Sequence, residues 1–243
     1  MNILGIKIDN ITCEKALEQI KGFFVDNKQH LIVTLNPEMV VEAQEDREFK
    51  KVLNYSDLTL IDGVGLVFAL WFFGLRSPKR ITGVDFTWKL IELAEKTDKI
   101  VYLLGGRNGV VDAAANVFKK RFPQAKIFFG GNSADPSDQR LITEINQARP
   151  QILFVAFGHG KQEKWIMNNF SKIPSVDVAL GVGGTFDFIS GRVARAPKII
   201  RKLGLEWFWR LVRQPWRVGR IINATCKFSY LIVKSKISKG KNI

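Results

Sequence analysis

The chain of 243 residues is poor in the side chains that build covalent or metal scaffolds. It has two cysteines, Cys13 and Cys226, and two histidines, His30 and His159. A disulfide framework is excluded, and a zinc site made from His and Cys lacks ligands. The longest apolar run, residues 64–75, is short of the ~20 residues that span a bilayer. No basic stretch followed by an apolar run and a small-residue cleavage site opens the sequence, so a reducing, cytoplasmic setting is expected. No D-x-D triplet occurs, although such triplets commonly clamp a metal on a nucleotide-sugar diphosphate. A diphosphate leaving group would then depend on Arg, Lys and helix N-termini. Acids are nearly absent from one end: residues 192–243 hold a single acid, Glu206, against 14 Lys and Arg.

What is present describes a folded globule. Hydrophobic residues make up 46% and charged residues 25%, and a chain of this length can bury roughly 70% of the surface its unfolded form exposes. The formal net charge is +14, and the 192–243 segment alone carries +13 of it. The expected organisation is a nearly neutral folded domain over 1–191 and a basic, aromatic-rich helical appendage over 192–243, with a junction near GRVARAPK. So strong and local a positive charge asks for an anionic partner.

Strand-length apolar runs alternate with segments of helical period, which predicts an α/β fold with a Rossmann-like, largely parallel sheet flanked by helices. The expected strands are NILGIKI, LIVTLN, LTLID, KIVYLLGG, KIFFGG, QILFVAFG and VDVALGVGG. The expected helices run over 37–54, 86–97, 109–121, 138–148 and 161–170, and Pro215 should open a further helix in the appendage. Several strands end in Gly, Asn or Asp, at the carboxyl edge where open α/β sheets bind ligands.

Four strand ends carry candidate chemistry. In IVYLLGGRNGV, Gly105 and Gly106 either make a turn or let backbone N–H groups approach a phosphate. The GxGxxG fingerprint is absent and the next strand, KIFFGGN, lacks the acid that holds a ribose, which weighs against a nicotinamide cofactor. LTLIDGVGL places Asp62 at a strand end, as a helix cap or as a base whose pKa the site could raise. TLNPE ends the neighbouring strand with Thr34 and Asn36, and all three converge on one crevice if the two strands are adjacent. In FGHGKQEKWI, Gln162 is either an exposed helix residue or an amide for a sugar or uracil. GVGGTFDFISGRVARAP supplies Gly183, Gly184 and Thr185, as a tight bend or as a phosphate contact.

The appendage reads three ways: a membrane-surface segment, a nucleic-acid binder or an inert basic face. Trp207, Trp209 and Trp216 interleave with Arg210, Arg213, Arg217 and Arg220, a pattern that favours an anionic membrane surface. No recognition-helix, RRM or KH pattern supports nucleic acid. The apolar segment 64–75 suits a core or a subunit contact, so the oligomeric state stays open, a homo-oligomer included.

Taken together, TLNPEMV, DGVGLV, RITGVDF, YLLGG, FGHGKQEKWI, GVGGTFDFISGRVARAP and KLGLEWFWRL resemble the WecG/TagA/CpsF glycosyltransferase family over essentially the whole chain. The resemblance implies an inverting, metal-independent enzyme that needs no cofactor. It implies a UDP-linked N-acetylmannosamine-type donor and a polyprenyl-diphosphate-linked N-acetylglucosamine acceptor in cell-surface polymer assembly, such as wall teichoic acid. It implies Asp62 as general base, Thr34 and Asn36 beside it, and Gln162 in substrate binding. Arg210, Arg217 and Arg220 match arginines that the family's appendage delivers to the site, and Arg213 joins them by helix face only. The implied location is peripheral, on the inner face of the cell membrane.

Overall fold

A computed structural model describes residues 1–76, 79–106, 109–131, 138–213 and 218–240, apart from the side chains of Lys202, Arg210, Arg220, Asn223 and Lys239. Six strands form one parallel sheet: β3 (His30–Leu35), β4 (Leu58–Ile61), β5 (Val101–Gly105), β6 (Ile127–Gly130), β7 (Ile152–Ala156) and β8 (Val178–Gly181). Their spatial order is β4-β3-β8-β7-β5-β6. Every residue of β3, β4, β5, β7 and β8 is buried. Continuous runs of Val, Ile and Leu suit strands covered on both faces.

The opening NILGIKI segment departs from the expected pattern. It folds as a separate antiparallel hairpin, β1 (Asn2–Ile3) with β2 (Ile6–Lys7), because Leu4 and Gly5 both take positive φ and reverse the chain. The expected 37–54 helix is also two, α2 (Pro37–Glu45) and α3 (Arg47–Tyr55). Asp46 between them is extended, and its carboxylate accepts the Phe49 N–H at 2.9 Å, since Asp favours a cap over a helix interior.

Two apolar cores sandwich the sheet. On one face lie α2, α3, α4 (Val64–Phe72), α7 (Arg140–Ala148) and α8 (Lys161–Asn169), through Val40, Phe49, Leu70, Ile145 and Ile166. On the other lie α1 (Cys13–Phe23), α5 (Gly83–Lys96), α6 (Val110–Arg121) and α9 (Thr185–Ile189), through Ile20, Phe86, Phe118 and Phe186. The expected α/β architecture is the observed one.

Beyond Ser190 the chain forms α10 (Lys198–Lys202), α11 (Glu206–Arg213) and α12 (Val218–Gly240). The long α12 lies against α2 and drives Phe228 and Ile232, each 5% exposed, into the first core. Lys227 pairs with Glu45 at 3.0 Å, and Lys236 donates to the Phe72 carbonyl at 2.6 Å. Ile222, Tyr230, Val233 and Ile237 of α12 are exposed, as are Phe68 and Trp71 of α4. Among the described residues no helix is long and apolar enough to cross a membrane. Pro215 lies outside the described residues.

Candidate active site

The site forms where the sheet's connections diverge, at the carboxyl ends of β4, β3 and β8. Strands β3 and β4 pair with Thr34 opposite Leu60 and Leu35 opposite Ile61, so Asn36 and Asp62 leave the sheet side by side. The Asp62 N–H donates to Leu35 O at 2.9 Å and fixes that placement. Asn36 caps α2, its Oδ1 accepting the Met39 N–H at 3.1 Å. The glycines of DGVG have a packing cause: a Cβ on Gly65 would stand 2.9 Å from Pro37 Cγ, and one on Gly63 would run into the same ring. The Asn36–Pro37 turn therefore sits against bare backbone.

A third segment closes in from α5. The Ile81 N–H donates to Ile61 O at 2.8 Å, which lays residues 80–83 along the end of β4. The hydrogen-bearing face of Gly83 looks into the site. A Cβ built there would lie 3.3 Å from Thr34 Oγ1, 3.6 Å from Asp62 Oδ2 and 3.8 Å from Thr185 Oγ1. One carboxylate oxygen and two hydroxyls thus surround a single point, a grouping suited to taking a proton from a sugar hydroxyl.

Around this point opens a cleft of about 690 Å³. Thr34, Asn36, Asp62, Arg80, Gln162, Gly183, Gly184 and Thr185 all line it; the sequence motifs single out all but Arg80, and place only Thr34, Asn36 and Asp62 in one crevice. Val64, Phe68 and Phe72 of α4 and Ile221, Phe228 and Ile232 of α12 add apolar lining to the cleft, with Thr225 and Ser229 of α12 among them. Gly105 and Gly106 do not line it. Both have positive φ, and a Cβ on Gly105 would meet the Phe157 ring at 2.7 Å, so close chain approach accounts for that glycine.

Gln162 is 3% exposed and sits inside a buried network. Its Nε2 donates to Glu163 Oε1 at 2.7 Å, its Oε1 accepts the Gly183 N–H at 3.0 Å, and Glu163 Oε2 accepts the Gly160 N–H at 2.8 Å. Burial pushes the Glu163 carboxyl up to about 7, and the nearby Glu42 charge adds to the rise while its hydrogen bonds oppose it. No pattern in the chain signals this, because Gln-Glu in a helix's first turn reads as solvated.

Arg80 is the one Lys or Arg among the described cleft-lining residues, and its Nη2 donates to Arg201 O at 3.1 Å. Arg195 ties the appendage to the body. It donates to both Asp85 oxygens at 2.7 and 2.9 Å, to Thr82 Oγ1 at 3.2 Å and to Glu206 at 3.3 Å. Although burial works to raise Asp85, the bonds from Arg195 and Thr82 hold its carboxyl below the usual range. Arg213 is exposed and stacks its guanidinium 5.0 Å over Trp209, away from the cleft. The backbones of Arg210 and Arg220 belong to α11 and α12, but their side chains and all of Arg217 lie outside the described residues. His159 lines the cleft with Nε2 3.1 Å from Glu42 and 3.6 Å from Glu38, a grouping the sequence did not indicate.

Residues 1–242 match the family described as "Glycosyl transferase WecG/TagA/CpsF family". Among curated proteins, the chain is 33% identical over 245 aligned residues to the N-acetylglucosaminyldiphosphoundecaprenol N-acetyl-beta-D-mannosaminyltransferase of Staphylococcus aureus strain MW2, covering 99% of this chain and 96% of that one. The same enzyme from strain NCTC 8325 / PS 47 gives the same identity and coverage.

Proposed function

Because the chain belongs to the WecG/TagA/CpsF family of glycosyl transferases, we propose that it moves an N-acetylmannosaminyl unit from UDP to N-acetylglucosaminyl-diphosphoundecaprenol. The observation that carries this reading is the meeting of Asp62 Oδ2 with the Thr34 and Thr185 hydroxyls around one point, in a cleft also lined by apolar side chains of α4 and α12. A sugar hydroxyl belongs at that point, and a prenyl-linked acceptor is compatible with the apolar lining.

Asp62 takes the proton of the acceptor hydroxyl as that oxygen bonds to the anomeric carbon, and the bond from that carbon to the UDP oxygen breaks. One displacement inverts the carbon and releases UDP. Arg80 offers a fixed positive charge to the departing diphosphate, and Arg210, Arg217 and Arg220 of the appendage add to it without a metal ion. Within this scheme 1–191 is the catalytic body, and 192–243 attaches it peripherally to the inner face of the membrane, where the acceptor resides.

The test supplies UDP-N-acetylmannosamine and a lipid-linked N-acetylglucosamine diphosphate in the presence of EDTA. UDP release and a disaccharide-lipid product are expected. Replacing Asp62 by Asn lowers turnover by roughly 10²- to 10⁴-fold with UDP-sugar binding retained, as loss of a general base does. Turnover near that of the unaltered chain would remove Asp62 from the role of base. No product from any UDP-sugar would remove the reading itself.

A further inference from the structure

Glu163 takes no part in the chemistry above, yet it is a carboxyl group only 1% exposed, bonded to the cleft-lining Gln162. Both its oxygens act as acceptors, Oε2 for Gly160 N–H and Oε1 for Gln162 Nε2. When ionised, the carboxylate has no hydrogen to give, and the Gln162 amide then turns only its nitrogen toward Glu163, the orientation seen here. Its oxygen must then face the other way, where it takes the Gly183 N–H at 3.0 Å. The direction of a buried amide is set by its neighbours' hydrogens, and here they allow one solution.

Strand β8 is shaped to admit the pair. A Cβ on Gly181 would lie 2.5 Å from both Gln162 Nε2 and Glu163 Oε1, so the two side chains rest on bare backbone. Two residues on, Gly183 has φ +49° and starts the turn that carries Thr185 to the Asp62 point.

We propose that Glu163 is a positioning residue for transfer: in its ionised form, as the acceptor of the Gln162 amide hydrogen, it fixes the direction of that amide, which in turn holds the Gly183–Gly184–Thr185 turn at the reacting point. Glu163 also closes half of a capping box on α8, a role an isosteric amide would share. The two roles part in Glu163→Gln. One oxygen still serves Gly160, but the new amide nitrogen faces Gln162 and forces it to turn over, so two N–H groups meet at Gly183. Adding Gln162→Glu restores the chain of donors and acceptors: the new amide donates to the new carboxylate, whose second oxygen takes the Gly183 N–H.

The experiment compares amide hydrogen exchange at Gly183, by NMR, with kcat for the unaltered chain, Glu163→Gln and the double variant Gln162→Glu/Glu163→Gln. Expected are exchange at Gly183 accelerated, and kcat lowered, by roughly 10- to 100-fold in the single variant, the scale of one buried donor left unmet. The double variant recovers slow exchange. Unchanged exchange and kcat in the single variant, or a double variant no better protected than the single one, overturns the assignment. Should the single variant not fold, a folded double variant with a protected Gly183 supports it, and a double variant that is unfolded or unprotected overturns it. The kinetic arm rests on the transferase reading, which turnover of the unaltered chain tests by itself; the exchange arm does not depend on it.

Discussion

At the scale of single residues, the site divides into groups that a strand end announces and groups that only folding reveals. Thr34, Asn36 and Asp62 were legible because polar residues closing apolar strands have few places to go except a carboxyl-edge crevice. Glu163 was not legible, because nothing in FGHGKQEKWI says which side of α8 meets β8; the signal lay in the glycine at 181. Arg80 was missed for a related reason, as bases clustered in a loop, here RSPKR, have no periodicity that marks one of them. Burial of Glu163 has a consequence in pH. With its pKa pushed up to about 7, the folded chain keeps a proton that the unfolded chain has given up. Stability therefore falls as pH rises from the ordinary carboxylate range through about 7, by about 3 kcal/mol in all. Urea unfolding at intervals from pH 5 to 8 is expected to show this slope, and Glu163→Gln is expected to flatten it.

Elements were read more securely than their ends. Five of the six sheet strands follow from apolar runs buried on both faces, and the sixth, β6, is an edge strand with Phe128 exposed, whereas the β1–β2 hairpin depended on two residues adopting positive φ. The break between α2 and α3 depended on one Asp preferring to cap. For α12, composition advertised the lysines and concealed the anchor. Phe228 and Ile232 fill the core beside α2 and α4, and Phe228 also lines the cleft. Phe228→Ala removes a buried aromatic ring and is expected to cost about 3 kcal/mol of stability, on the scale of large-to-small core changes. Thermal or urea unfolding measures that loss; a change under ~1 kcal/mol would mean that α12 is only loosely docked.

On the scale of the whole molecule, charge and burial tell different stories about residues 192–243. The charge is concentrated there, as composition indicated, but the segment is fastened to the body by Arg195 and by the inward stripe of α12. Removing it would strip cover from the core, so deletion is a poor probe of membrane attachment. Exchanging the exposed Lys234 for Glu leaves that inward stripe and the Lys236–Phe72 bond in place. Flotation with phosphatidylglycerol vesicles is expected to weaken by roughly tenfold or more, since each base near an anionic leaflet contributes about 1 kcal/mol. Equal flotation of both proteins would argue against attachment through this face.

One helix, α12, offers one side to the cleft and the other to the surroundings. Thermodynamic reciprocity follows from such a shared wall. If lipid docking steadies α12 and thereby tightens UDP binding by some factor, bound UDP must tighten lipid docking by the same factor. Discharge of the nucleotide would then loosen the grip on the bilayer, so each turnover would end in the state that detaches most readily.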